Sequence, residues 1–211
     1  MKCHKLTCLL TAALFVVGGQ RSFSQGFVNL GFEDAVIVRD PTSIYQAVFT
    51  SSAVPGWSIY GNFLGPSTML YNTATLSLPS VSIHDGTPPI GVVAWEGTYS
   101  LSFQAFAPVA IGQVGTLPDD AQVVTFWGED PSFTVTFAGQ PIALTVLSST
   151  ASYTVYGGNI SAYAGQTGEL RFQGNGVFDN IQFGIPEPSV FSLFGLGALL
   201  LGWHWHRKHS A

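Results

Sequence analysis

Cysteine is absent from residues 26–185; the chain's only two, Cys3 and Cys8, lie before this segment. Its absence excludes disulfides, a thiol nucleophile and thiolate metal ligands from the segment. The fold must therefore be held by a hydrophobic core, with or without a bound ion. A segment of this length is long enough to form such a core as one domain.

Basic residues are nearly as scarce in the same segment. Arg39 and Arg171 are the only two, against eleven aspartates and glutamates, which leaves nine net negative charges. Nucleic-acid binding requires patches of lysine and arginine against the phosphates, so this class of function is excluded. The charge balance instead suits a secreted protein that faces neutral sugars or divalent cations.

Catalytic motifs are also missing, since the chain has no H-E-x-x-H, no G-x-S-x-G and no P-loop. His84 is the segment's only histidine and is predicted to be a loop residue. Asp119-Asp120 and Glu129-Asp130 are paired acids of the kind a glycosidase needs, but each pair lies beside a proline, where solvated turn residues are expected. We therefore predict a non-enzymatic protein. A glycoside hydrolase or other enzyme on the same fold, and a structural matrix or adhesion protein without a ligand pocket, remain as alternatives.

Helical periodicity with caps is absent from the segment, whereas short β-branched and aromatic runs recur between Gly, Pro, Asn and Asp. Several of these runs alternate at period two, as strands with one buried face do. The predicted strands cover residues 90–95, 99–106, 123–127, 132–137, 142–146, 152–156 and 177–183. This pattern predicts an all-β protein, an antiparallel β-sandwich of the jelly-roll type. Residues 61–90, with four prolines and many small polar residues, predict long loops or an irregular edge.

Residues 1–24 have the three parts of a secretory signal peptide. Lys2 and Lys5 supply the positive start, residues 9–17 the apolar run, and Ser22 and Ser24 the small residues at alternate positions before the cleavage site. The apolar run is too short to cross a membrane, which takes roughly 20 residues. We predict cleavage after Ser24 and a mature β-sandwich domain over residues 25–185.

Residues 186–211 also form a tripartite segment. Pro186, Glu187 and Pro188 come first. An apolar run that ends in two tryptophans follows, and the basic residues Arg207 and Lys208 come after it. An apolar run flanked by aromatic residues and cations predicts a C-terminal transmembrane helix with its basic end in the cytoplasm.

This tail resembles the PEP-CTERM sorting signal of Gram-negative bacteria that make exopolysaccharide, with histidines where that family usually has arginines. The resemblance implies an exported protein that the helix holds transiently in the inner membrane. It also implies recognition and cleavage by an exosortase-type membrane protease. The final location would be the cell surface or the extracellular matrix, and the expected partner is extracellular polysaccharide.

The body carries a second resemblance, on five short motifs. They are N-L-G-F-E at 29–33, P-G-W at 55–57, G-T-Y-S-L at 97–101, E-L-R-F at 169–172 and F-D-N-I at 178–181. In this order they resemble a carbohydrate-binding-module or galactose-binding-like jelly roll.

In that family the first and last strands lie side by side, and an acidic residue on each helps to bind a structural Ca²⁺. The matching residues are Glu33 and Asp179, with Asp34 and Asn180 as further possible ligands. Calcium takes six to eight oxygen ligands, which carboxylates and carbonyls supply. The alternative is that the two acids are turn or edge residues, solvated or bonded to backbone amides.

Sugar binding needs exposed aromatic rings, because the CH-rich face of a pyranose stacks on a ring and polar groups orient it. Core packing is the more frequent role for any single large aromatic residue. Trp95, next to Glu96, and Tyr60, in a loop-rich region, are the preferred sugar-binding candidates, and Trp57 is a third. The predicted function is an exported, non-catalytic protein that binds or associates with exopolysaccharide.

Overall fold

The computed structural model describes residues 26–75, 77–89, 91–104, 107–129 and 132–184. Helix is confined there to one turn of α-helix, α1 (Thr50–Ala53), and a 3₁₀ turn (Ser161–Tyr163). The strands are β1 (Ala47–Phe49), β2 (Ser58–Tyr60), β3 (Thr68–Tyr71), β4 (Ser80–His84), β5 (Ser100–Gln104), β6 (Ala110–Thr116), β7 (Val123–Gly128), β8 (Thr134–Phe137), β9 (Gln140–Ile142), β10 (Leu144–Ser149), β11 (Thr154–Asn159), β12 (Thr167–Gln173) and β13 (Gly176–Gly184).

The strands form two sheets. The larger has eight strands in the order β1-β3-β4-β5-β13-β7-β11-β10, and the smaller has five in the order β2-β6-β12-β8-β9. Neighbours are antiparallel except β3 and β4, which run parallel. The prediction of an all-β sandwich is confirmed by this architecture.

The core lies between the sheets and is built on phenylalanine. Phe178 is its central ring: its centroid lies 5.1–6.0 Å from those of five other phenylalanines. These are Phe32, Phe103, Phe126, Phe133 and Phe172. Strand alternation explains how such rings reach one interior, since successive side chains of a strand point to opposite faces.

Residues 29–34 lie beside β13 without forming a strand. The backbone N–H of Ile181 donates to the carbonyl of Leu30 at 3.2 Å. Phe32 has a φ of 62°, which a bulky side chain seldom adopts, and its ring is fully buried against Trp57 and Phe178. The resemblance placed the first and last segments of the domain side by side, and the structure does so, though with a loop instead of a first strand, in which Phe32 alone is buried.

Residues 61–90 are more regular than predicted. They contain β3 and β4, and β4 is a central strand whose five residues are all buried. Val81 and Ile83 join the core, while Ser80, Ser82 and His84 occupy the opposite face. The prediction of loops was wrong here because both faces of β4 are covered, so its small polar residues do not mark a solvent-exposed segment.

The two ends of the described domain meet. The ring of Phe27 lies 5.3 Å from that of Phe183, and Gln122 N–H donates to the carbonyl of Gly184 at 3.0 Å. No helix among the described residues is long and apolar enough to cross a membrane. The predicted signal peptide, Pro186, Glu187 and Pro188, the C-terminal helix, and Arg207 and Lys208 lie outside the described residues and stay predictions.

Candidate functional site

Trp57 belongs to the core. It is 5% exposed, its ring packs on Phe32 and Phe172, and its indole N–H donates to the carbonyl of Asn29 at 3.0 Å. A ring buried in this way offers no face to a sugar. The core-packing alternative therefore holds for Trp57.

Tyr60 lies on the outer face of the five-stranded sheet, where it is 37% exposed. Its hydroxyl donates to Glu169 Oε1 at 2.6 Å, and this hydrogen bond, with burial second, raises the pKa of Tyr60. The guanidinium of Arg171 lies 4.0 Å from the ring centroid and pairs with Glu169 at 2.9 Å. Tyr60 also lines an open groove of about 460 Å³, but the guanidinium covers one face of its ring.

Trp95 forms part of a group of partly exposed rings, which we call the aromatic cluster: Trp95, Tyr153 and Trp127. The rings of Tyr153 and Trp127 are stacked, 4.4 Å apart at 8°, and Trp95 lies 5.4 Å from Tyr153 at 40°. All three are half-buried. The three rings contact one another outside the core, on the outer face of the eight-stranded sheet.

Strand alternation places Trp127 in this cluster. Val124 and Phe126 of β7 are fully buried in the core, so Thr125 and Trp127 face outwards. Trp127 was not among the predicted sugar-binding residues. The outward position of Trp127 is visible in the alternation; the contact with Tyr153 is not, because it joins residues far apart in the chain.

Residues 95–99, which we call the anchored loop, carry Trp95. The strand predicted over residues 90–95 is not formed at residues 91–95. Glu33 accepts the backbone N–H groups of Thr98 and Tyr99 at 2.9–3.0 Å. Asp179 accepts those of Trp95 and Glu96, both at 3.1 Å, through its Oδ2. The structure thus brings the two predicted acids together on one short segment.

Among the described residues, no group of three or more His, Cys, Asp or Glu side chains could hold a metal ion. Asp34 is exposed, and the Oδ1 of buried Asn180 accepts the Gln182 amide at 2.6 Å. The Glu33 and Asp179 oxygens face N–H donors, where calcium would need further oxygens. These side chains do not by themselves form a calcium shell, and the ion stays a prediction.

Asp179 is fully buried, and burial raises its pKa to about 6. Three backbone N–H bonds, from Trp95, Glu96 and Asn180, favour the charged form and oppose this shift, and the nearby Glu33 carboxylate adds to it. The pKa of Asp179 thus reflects two opposing effects: desolvation favours the neutral form, and hydrogen bonding favours the charged form.

His84 is the last residue of β4 and is 1% exposed, so its prediction as a loop residue was wrong. Its Nε2 lies 2.7 Å from Ser102 Oγ, and its Nδ1 has no hydrogen-bond partner among the described residues. Burial lowers the pKa of His84 to about 4, with the neighbouring Asp85 acting in the opposite direction. The imidazole is therefore neutral at pH 7.

Asp85 anchors a polar network beside His84. Burial alone would raise its pKa, but hydrogen bonds from Tyr71, Thr87 and Asn72 outweigh burial and hold the pKa well below its usual range. Tyr71 is thereby engaged through its hydroxyl, and the guanidinium of Arg39 lies 5.3 Å from its ring. This network supports the fold and adds no ring to the aromatic cluster.

No family model matches this chain, and no curated protein or solved structure matches it either. The function is therefore argued from the geometry of the described residues.

Proposed function

We propose that this is an exported, non-catalytic protein that associates with extracellular polysaccharide, and that the aromatic cluster is where sugar binds. The observation that carries the proposal is three partly exposed rings held together on the outside of a rigid sheet. Aromatic surfaces of this kind suit the CH-rich face of a pyranose, and their rigidity lowers the entropy cost of binding.

The charges around the cluster favour a neutral glycan. Glu96 is exposed next to Trp95, and the two arginines of the described residues are engaged elsewhere. Arg171 pairs with Glu169, and Arg39 lies over Tyr71. An anionic polysaccharide would meet like charges here without a compensating cation, which disfavours its binding.

The finer features of the proposal rest on sequence. The sandwich is taken to be of the jelly-roll type, and the tail from Pro186 onwards to be a PEP-CTERM-type signal. Export through a signal peptide, transient anchoring by the C-terminal helix and processing by an exosortase-type protease follow from that resemblance. The proposed location is the cell surface or extracellular matrix.

The proposal predicts that Tyr153→Ala weakens binding to a neutral glycan by about two- to tenfold, because aromatic contacts of this kind contribute roughly 0.5–1.5 kcal/mol beyond their buried area. Tyr153 is the ring that touches both tryptophans. A glycan array with the purified wild-type protein identifies the glycan, and isothermal titration of both proteins measures the change.

Tyr45→Ala is the matched control, since Tyr45 is an exposed tyrosine whose ring packs on Phe63, outside the cluster. It should leave the affinity unchanged. Absence of binding to every neutral and acidic glycan by the wild-type protein would contradict the proposal and favour a structural matrix role. Release of reducing ends from a bound glycan would favour the enzymatic alternative.

A further inference from the structure

We propose that Glu33 and Asp179 are positioning residues, which fix Trp95 in the aromatic cluster by holding the anchored loop through its backbone. In this role the two carboxylates do directly what the resemblance assigns to a calcium ion. The importance of this role for glycan affinity rests on the proposed function, whereas the anchoring itself does not.

The two acids accept hydrogen bonds from different ends of the anchored loop. Asp179 accepts the N–H groups of Trp95 and Glu96, and Glu33 accepts those of Thr98 and Tyr99. Hydrogen bonds from N–H groups to an ionised carboxylate are about twice as strong as those between neutral groups. Four backbone donors of a five-residue loop, which has no strand partner, are satisfied in this way.

Gly97 shows how tightly the loop closes on Glu33. Its φ is +66°, and a Cβ at this position would collide with the carboxylate carbon and both carboxylate oxygens of Glu33. Only glycine combines this backbone conformation with such a close approach. The loop is therefore shaped around the side chain of residue 33.

Strand alternation in β13 places Asp179 on the face turned towards the loop. The preceding residue, Phe178, lies in the core, so Asp179 points to the opposite face of the sheet. The bulge in the pairing of β13 with β7 follows it, between Asp179 and Gln182. Asp179 pairs with Trp127 in the register of β13 and β7. The Asp179 carboxylate, which accepts the backbone N–H of Trp95, therefore lies next to the strand that carries Trp127.

The test is amide hydrogen exchange, measured residue by residue on the whole protein. Glu33→Gln replaces the ionised acceptor with a neutral amide, which weakens the hydrogen bonds from both N–H groups, and should speed exchange of the Thr98 and Tyr99 amides at least about tenfold. Asp179→Asn should do the same to the Trp95 and Glu96 amides. Glu96→Gln, which removes one charge from the same loop without touching the anchor, is the matched control and should leave all four amides protected.

Melting temperature with and without a chelator separates the anchor from a calcium site. Glu33→Gln should melt about 5 °C lower than wild type, while the chelator leaves the wild-type melting temperature unchanged. A fall in the wild-type melting temperature on chelation, reversed by added calcium, would overturn the proposal. Unchanged exchange of all four amides in both variants would overturn it too.

The two proposals fail separately. If wild type binds no glycan, the proposed function fails, while the exchange pattern still tests the anchor. If Glu33→Gln and Asp179→Asn bind glycan as wild type does and keep the loop protected, the anchor fails and the function stands. The anchor is supported when loss of protection and loss of affinity occur together in both variants and not in Glu96→Gln.

Discussion

Phe178→Ala will lower the free energy of unfolding by about 3–5 kcal/mol, the usual cost of removing a buried aromatic ring from a core that cannot collapse around the space. Phe178 is fully buried and lies within 6.0 Å, between ring centroids, of five other phenylalanines drawn from both sheets and from the 29–34 segment. No single neighbour can fill the cavity, because each is fixed by its own contacts. Urea denaturation measures the change.

Phe49→Ala is the matched control, because Phe49 is a phenylalanine of edge strand β1 that is 36% exposed. Its loss should cost about 1 kcal/mol or less. Equal destabilisation by the two substitutions would show that Phe178 is not the centre of the core. Domains of this kind have only about 5–15 kcal/mol of stability in total, so Phe178→Ala removes a large share of it.

Sequence reasoning succeeded where one face of a strand is apolar and the other is not. The alternation of β7 places Val124 and Phe126 inside and Trp127 outside, as the structure has them. It failed for β4, S-V-S-I-H, because other parts of the chain cover its polar face as well. Whether a polar face is covered depends on contacts between distant segments, which local periodicity does not contain.

The candidate site, too, could be predicted from the sequence only in part. The resemblance brought Glu33 and Asp179 together, and the structure places both on the anchored loop. Their partners could not be predicted, because they are backbone N–H groups, and any residue type supplies those. The aromatic cluster was found only through Trp95; the stacking of Tyr153 on Trp127 depends on how the end of β7 approaches the start of β11.

We expect the free energy of unfolding of the wild-type protein to change little between pH 4 and 6, because two large and opposite pH dependences nearly cancel. The pKa of His84 falls from 6.5 to about 4 on folding, so the unfolded chain binds more protons there and stability is lost as the pH falls from 6.5 towards 4. The pKa of Asp179 rises from 3.8 to about 6, so its contribution is present below pH 4 and is lost as the pH rises towards 6. Each difference corresponds to about 3 kcal/mol, and the two nearly cancel.

Single substitutions should reveal each slope. His84→Gln removes the histidine, and the free energy of unfolding should then fall by about 3 kcal/mol from pH 4 to 6. Asp179→Asn removes the acid, and the free energy should then rise by a similar amount from pH 4 to 6.5. The change with pH is the measured quantity, so a uniform loss of stability in either variant does not affect the comparison.

The charged neighbours of His84 and Asp179 do not cancel the pH dependence of stability that we expect from these two side chains. Asp85 lies beside His84 and has a lowered pKa, so it stays ionised through this window and its own stabilising contribution is lost only at lower pH. The carboxylate of Glu33 already contributes to the raised pKa of Asp179. Urea denaturation at four pH values between 4 and 7 tests the prediction, with the double variant as control, since it should be flat. Parallel slopes in the two single variants would show that other groups control the acid stability of the domain.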